Sequence, residues 1–500
     1  MKATRGFTAL AALVLANALL TLSGMLKSPE RVVGVGAASP HAPPRTQVNN
    51  YYDVTVSGAW NGNSPAVPGD TSDDSVAINA TIAYASSQGG GIVYLPAGDY
   101  AIGDPSVPSG QILIPYDNIQ LVGSGLSTRI ILYNAIGTTG APTPIPRAAV
   151  QVERSGAIPT NLANTIIRDL LVMTSEWYFG NTTNWRTPAH PGVVGLRLAG
   201  TQQALVENVF INGYDNGVLL VAGNSGILMN HVSGNVCRVG LHISSAENGT
   251  GANTHTPDPA SWEWQTENRF DHCVFSGGVG GQYADVGVLL EGYAVGDQNF
   301  HDLHALWCSY GVQLVYSPRS GSNGYATNIV LEGFVSDWCS TLAMQAIGYS
   351  DVKVDMAFVG VRGFWFDQCS NCVVSNSEFH TPDAGQSAIT LVDCNVMRMV
   401  GNGFNGFQSG INSAGLSFST VTGCTFVGPS TPGNLVNLLA STSNNSQFNS
   451  LTGNSFQASG GGSIVEASTG ADYNYVFANT YGNGVSQPQV YGAHSVRNPP

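Results

Sequence analysis

Lysine is almost missing from this chain: Lys2, Lys27 and Lys353 are the only three among 500 residues. Charged residues together make up 10%, and the net charge is −14 with fifteen arginines as the main cations. That balance excludes the basic face a nucleic acid needs. It also argues against a densely anionic polymer, which a cationic groove would draw in. After residue 26 no apolar run is long enough to span a bilayer. Cysteines at metal-site spacing are lacking too. Among Cys237, Cys273, Cys308, Cys339, Cys369, Cys372, Cys394 and Cys424, only Cys369 and Cys372 have the two-residue gap, with no second pair nearby. These eight are read as buried thiols, in an exported chain where disulfides are permitted. No nucleophile elbow, phosphate loop or metalloprotease helix is present, so no cofactor or metal is expected, short of a structural calcium held by turn carbonyls.

What the chain does hold is 61 glycines and 43% hydrophobic residues, enough to fill a long core with short strands and tight turns. Lys2 and Arg5 followed by an apolar run from Phe7 to Leu22 have the form of a secretory signal. Residues 1–24 are assigned to it, with an uncleaved anchor as the alternative, so the protein is expected to be secreted, extracellular or periplasmic. Residues 25–48 read as a proline-rich leader, 49–482 as one elongated domain, and 483–500 as a loose polar tail.

From Thr71 to Tyr100 the sequence reads as one module. Asp73 or Asp74 can accept from the free N–H groups that open a helix. Val76, Ile78, Ala80, Ile82 and Ala83 give that helix an apolar face. Gly89-Gly90-Gly91 stop it, Ile92-Val93-Tyr94-Leu95 form a strand, and Pro96-Ala97-Gly98 end the strand. This stretch resembles the N-terminal cap of the pectate-lyase-like superfamily, the rhamnogalacturonase and epimerase type included, with Ser75 and Asp99 standing where threonine is usual. The match covers roughly residues 50–125. The resemblance implies an all-β fold, a single-stranded right-handed parallel β-helix behind a short capping helix, and glycan substrates.

A weak repeat follows. Its anchor is an apolar residue, usually Phe, after Asn, Asp or Glu: Phe210, Phe275, Phe334, Phe358, Phe379, Phe404, Phe426 and Phe456, with Val232 and Leu306 in two coils. The steps from Phe334 onward are 24, 21, 25, 22 and 30 residues, one coil each. A single coil cannot bury its own apolar face, so neighbours stack and the Phe ladder is core. Two aromatic insertions, 174–191 and 246–268, interrupt the period.

Stacking turns sequence into distance. Neighbouring coils lie about 4.8 Å apart, so equivalent residues two coils apart are about 10 Å apart. Registered on the Phe anchor, the next turn presents Asp215, Arg238, Asp285, Ser309-Tyr310, Asp337-Trp338, Arg362 and Asp383 in one column. Asp285 and Asp337 are the expected catalytic carboxylates, with Asp215 and Arg238 tuning them. Such a spacing is nearer the inverting than the retaining kind of glycoside hydrolysis. Trp177, Trp185, Trp262, Trp264 and Trp338 are candidate sugar platforms, since indole faces pack on sugar C–H faces. Glu263 and Glu267 are alternative acids. His242, His272, His301, His304 and His380 read as scattered wall histidines.

The superfamily's local signatures do not locate the site. The polygalacturonase set (Asn-Thr-Asp, Asp-Asp, Gly-His-Gly, Arg-Ile-Lys) is missing apart from the cap's Asp73-Asp74, and the alginate epimerase signature Asp-Pro-His-Asp is missing as well. The expected function is cleavage of glycosidic bonds in a polysaccharide or oligosaccharide by two carboxylates. The alternatives are a lyase acting on a uronate by β-elimination and a non-catalytic, tailspike-like glycan binder. A monomer or homotrimer is expected, with no nucleic-acid partner and no membrane after signal cleavage.

Overall fold

The computed structural model describes residues 50–103, 110–133, 148–153, 162–175, 193–245, 264–277, 284–316, 326–380, 386–428, 433–441, 444–458, 462–466, 471–482, 485–486 and 494–497. The signal and leader segments, and most of both aromatic insertions, lie outside them.

All described strand pairings are parallel, and each strand pairs with its counterpart one coil away. A representative coil has Thr327–Glu332 on a first face, Val335–Asp337 on a second and Leu342–Ile347 on a third. Among the described residues the third face runs through thirteen strands, from Ile112–Ile114 to Gly462–Glu466. This is the right-handed parallel β-helix that the sequence leads one to expect. Among the described residues no helix is long and apolar enough to cross a membrane.

Alternation on each strand sends one set of side chains inward. On the first face the inward column includes Val206, Met229, Phe270, Phe300, Leu331, Val354 and Val374. On the second it includes Phe275, Ala305, Ser336, Val359, Phe379, Phe404, Phe426 and Phe456. The rings of Phe404, Phe426 and Phe456 stack with centroids 4.7 Å apart. Bulk on this face is matched by its absence on the third. Gly217, Gly240, Gly287 and Gly311 form a column there, and a Cβ on Gly240 would sit 2.7 Å from Phe275.

Corners are turned by single residues in the left-handed region. His231, His272 and Asp302 turn the first corner, Val236, Trp307 and Trp338 the second, and Glu267, Asn328 and Phe418 the third. Such a conformation is uncommon for bulky side chains, and it is held here by the pairing on both sides. Outside the third corner Phe418, Phe448, Tyr473 and His494 stack on one another, centroids 4.5–5.0 Å apart.

At the N-terminal end, helix α1 (Ser75–Ser87) packs on the first coils. Its buried face is Ser75, Ile78, Ile82 and Ala85, with Ala77 and Thr81; Val76 and Ala83 point to solvent, which corrects the expected face. Asp73 accepts from the Ser75 N–H at 2.9 Å. Asp74 makes no side-chain cap; it turns away and accepts from Val67 and Ala101 N–H at 2.8 and 3.0 Å, tying the helix start to the first coil. Burial pushes its carboxyl up to about 6, against the two donors that favour the charge.

Three Phe-ladder assignments need correction by one place. Ile211, Ala305 and Val359 are the inward residues, so Phe210, Leu306 and Phe358 face out. Phe334 and Val232 are inward but belong near the first corner, in the column of Cys273 and Leu303. A one-residue slip reverses a side chain's face, and corner lengths vary enough to cause it. Within the segment read as a tail, Val496–Arg497 adds a last rung beside Tyr475–Phe477.

Candidate functional site

The outer side of the third face carries several partnered polar groups. At its leading edge Asp215, Arg238, Asp285 and Ser309 occupy successive coils at one place. Arg238 O accepts from Asp285 N–H at 2.9 Å, and Asp215 O from Val239 N–H at 2.9 Å, which fixes that register. The Arg238 guanidinium bridges the two acids. Its Nε bonds Asp215 Oδ1, its Nη2 lies 3.3 Å from Asp215 Oδ2, and its Nη1 lies 3.9 Å from Asp285 Oδ2. Asp215 is largely covered, with 11% of its side chain exposed, whereas Asp285 keeps 62%.

Asp337 does not stand in this column. It lies at the end of a second-face strand, paired with Leu306, and Thr341 takes the place below Ser309. The cause is the anchor: counting from Phe334, a first-corner residue, ends too early. Asp337 Oδ1 accepts from the Trp338 N–H at 2.9 Å, and burial raises its carboxyl above the ordinary range. Trp338 turns the second corner and is exposed. Arg362 lies one place further along, opposite Leu342, and Asp383 is outside the described residues. Trp264 is exposed and, with Glu267, lies at the third corner, on the opposite edge of the same face. Trp177, Trp185, Trp262 and Glu263 fall outside the described residues.

Two further groups occupy the middle of the face. His242 Nδ1 is 3.2 Å from Asn216 Oδ1, and its Nε2 is 2.9 Å from Glu291 Oε1. The hydrogen bond from His242 holds the Glu291 carboxyl below the usual range, against the opposing effect of burial. Two coils earlier in the same outward column is Arg197, only 1% exposed, ion-paired with Glu153 and with Nε lacking a partner. Leu219 separates the two groups. One faint signal was available for Arg197. In Leu196-Arg197-Leu198 strand alternation turns one side chain away from two core leucines, and a lone charge there wants a partner. Its partner lies 44 residues away, and that of His242 lies 49 away.

The His242–Glu291 pair has a pH signature. A carboxylate with a depressed value contributes stability that is complete above the ordinary glutamate range, near about 4.3, and lost as pH falls through its own lower value. Melting temperature followed from pH 6 to pH 3 should fall, and Glu291→Gln should flatten that limb. An unchanged limb in the variant would show that the pair adds nothing.

Another cluster lies at the first corner: Asp302 Oδ1 is 3.2 Å from His304 Nε2, Asp302 Oδ2 is 3.8 Å from His272 Nε2, and His272 stacks on His231. The left-handed corner at Asp302 brings together histidines that simple strand alternation keeps apart. Among the described residues no group of side chains has metal-holding geometry.

The family described as rhamnogalacturonase A/epimerase, pectate lyase-like, matches residues 62–256, the cap and the first coils of this stack. The chain is a parallel β-helix whose first part is similar to that family. The chain is 36% identical over 110 residues to mannuronan C5-epimerase AlgE1 of Azotobacter vinelandii, covering 22% of this chain and 8% of the relative. It is 33% identical over 127 residues to AlgE6 of the same organism, covering 24% and 13%. It thus spans about a tenth of the length of these curated relatives. Among solved structures, a variant tailspike protein of E. coli bacteriophage HK620 aligns with a TM-score of 0.58 at 13% identity, over 87% of this chain and 80% of that one. The same tailspike in complex with a pentasaccharide aligns at 0.56 and 14%, with the same coverage.

Proposed function

We propose that this protein is a secreted enzyme acting on a polysaccharide, and that it hydrolyses glycosidic bonds at the leading edge of the third face. The observation that carries this reading is Asp215 and Asp285 bracketing one guanidinium. Their backbones are two coils, about 10 Å, apart. Both side chains lean toward Arg238, which draws the carboxyls toward the spacing of about 6.5–9.5 Å that leaves room for an attacking water. Asp215, held at two points, orients that water as the base. Asp285, exposed and loosely held, reaches the glycosidic oxygen as the acid.

The second reading is proton abstraction next to a uronate carboxyl, by elimination or epimerisation. It draws support from the names of the curated relatives, although those matches cover only 22% and 24% of this chain. Mass analysis of products from a panel of neutral and uronate polysaccharides separates the readings. Hydrolysis adds one water per cut. Elimination adds none and leaves an ultraviolet-absorbing double bond. Epimerisation leaves the mass unchanged in light water and takes up deuterium from heavy water. Binding with no product in any arm would make the protein a glycan-binding module and overturn the hydrolytic reading.

A further inference from the structure

All eight cysteines are free and buried. Cys237 and Cys273 bond only to backbone carbonyls, each at 3.5–3.9 Å. Around the third corner the arrangement differs. The Cys369 thiol contacts the thiols of both Cys372 and Cys394. The bridges Ser350–Ser370 and Ser370–Asn395 set the register there, so Cys369 and Cys394 occupy the same place on successive coils. Neighbouring coils are about 4.8 Å apart, inside the Cα separation of about 4.4–6.8 Å that a disulfide spans. By contrast Cys308 and Cys339, also in contact, are staggered: Cys308 O accepts from Ser340 N–H, not from Cys339.

Beyond their contacts with one another, the thiols of the trio make weak S–H bonds to backbone carbonyls. Cys369 donates to Ala346 O and Asp367 O at 3.4 and 3.3 Å, and Cys394 to Phe366 O and Val392 O at 3.5 and 3.2 Å. Oxidation gives up little in exchange for a covalent bond. Cys372, whose Sγ donates to Ser370 O at 3.3 Å, is three residues along the same turn.

We propose that Cys369 and Cys394 form a disulfide that staples two successive coils, with Cys372 remaining a thiol beside it. The oxidant is a disulfide of low molecular weight, such as glutathione disulfide. One cysteine thiolate attacks it and expels a glutathione thiolate, giving a mixed disulfide. The second cysteine thiolate then attacks the protein sulfur of that bond and expels the other glutathione. Two cysteine sulfurs are oxidised, one glutathione disulfide is reduced to two thiols, and the two cysteine protons pass to the departing thiolates. Cys369, Cys372 and Cys394 are each no more than 1% exposed, so the bond forms while this corner is still closing.

The test is to refold reduced, denatured full-length protein through a glutathione redox buffer. Remaining thiols are then alkylated in denaturant, and the chain is cleaved after Glu378, which separates Cys369 and Cys372 from Cys394. Two fewer alkylated thiols than the eight of the reduced chain are expected, with the two fragments joined. Cys372→Ser should keep the link, and Cys394→Ser should abolish it. Native reduced protein exposed to the same buffer should link at least 10-fold more slowly than refolding protein. Alkylation of all eight thiols after refolding, a bond confined to Cys369 and Cys372, or loss of the link in Cys372→Ser would each overturn the proposal.

Discussion

Replacing Asp285 with Asn should lower glycan turnover about 10²–10⁴-fold, the range expected when one general acid is removed, while leaving the melting temperature within about 2 °C. The side chain is mostly in solvent and its contact with Arg238 is long, so an exposed pair of this kind contributes little to stability. Asp215→Asn should cost as much in rate, but with a stability loss as well. Its carboxylate is largely covered, and the amide cannot keep both guanidinium contacts. A hydrolytic residue also leaves a trace in the rates. The losses at Asp285 should fall on kcat rather than KM, because the acid acts in the transition state. Near-normal turnover in both Asn variants would remove this pair from the chemistry. Asp337→Asn is the internal contrast: its carboxyl lies outside the column, so its substitution should leave the rate within a few-fold of the parent.

Gly240→Ala is the substitution expected to damage the fold most for its size. The added Cβ would lie 2.6 Å from Gly287 O, a ladder acceptor, and 2.7 Å from Phe275 Cβ. Neither is the free end of a flexible chain, so the coil must move. Overpacking of this kind costs about 3 kcal/mol, and both soluble yield and melting temperature should drop. The column itself shows what relieves the clash. Ala343 occupies the equivalent place further down, and Gly311, one coil before it, faces Ser336 where Gly240 faces the Phe275 ring. Phe275→Ala alone should be destabilising through the cavity it leaves, by about 3–5 kcal/mol. Combined with Gly240→Ala it should cost less than the sum of the two, because truncation removes the ring Cδ1, also 2.7 Å from the added Cβ, while the contacts with Gly287 O and Phe275 Cβ stay. Strictly additive melting shifts would show that the ring takes no part in the clash.

The architecture was legible from local signals. Asp73 to Gly98 carry helix opening, glycine stop, strand and turn within thirty residues, and each of those steps appears where expected. Phe379, Phe404, Phe426 and Phe456 recur at coil spacing and do form one inward column. Register was harder to read. Corners vary in length without a sequence marker, since residues as different as His231, Trp307 and Phe418 adopt the left-handed turn that glycine or asparagine usually signals. That is why Phe358 and Asp337 do not occupy the columns their spacing predicts, while Asp215, Arg238 and Asp285 fall together. The histidine and arginine groups of the third face were invisible for a different reason. Neither His242 nor Arg197 has its acidic partner on its own coil, and only the stack brings those partners into contact.

A chain wound this way has a quantised length. Because Phe404 lies directly over Phe426, and Met399 over Val421, excising the stretch between equivalent points would rejoin every column without a mismatch. Cutting half as much would put aromatic rings outside and turn residues inside. Gain or loss of material behind the acidic edge is therefore permitted only as entire windings, each shifting the far tip by about 4.8 Å while leaving the bracketed guanidinium untouched.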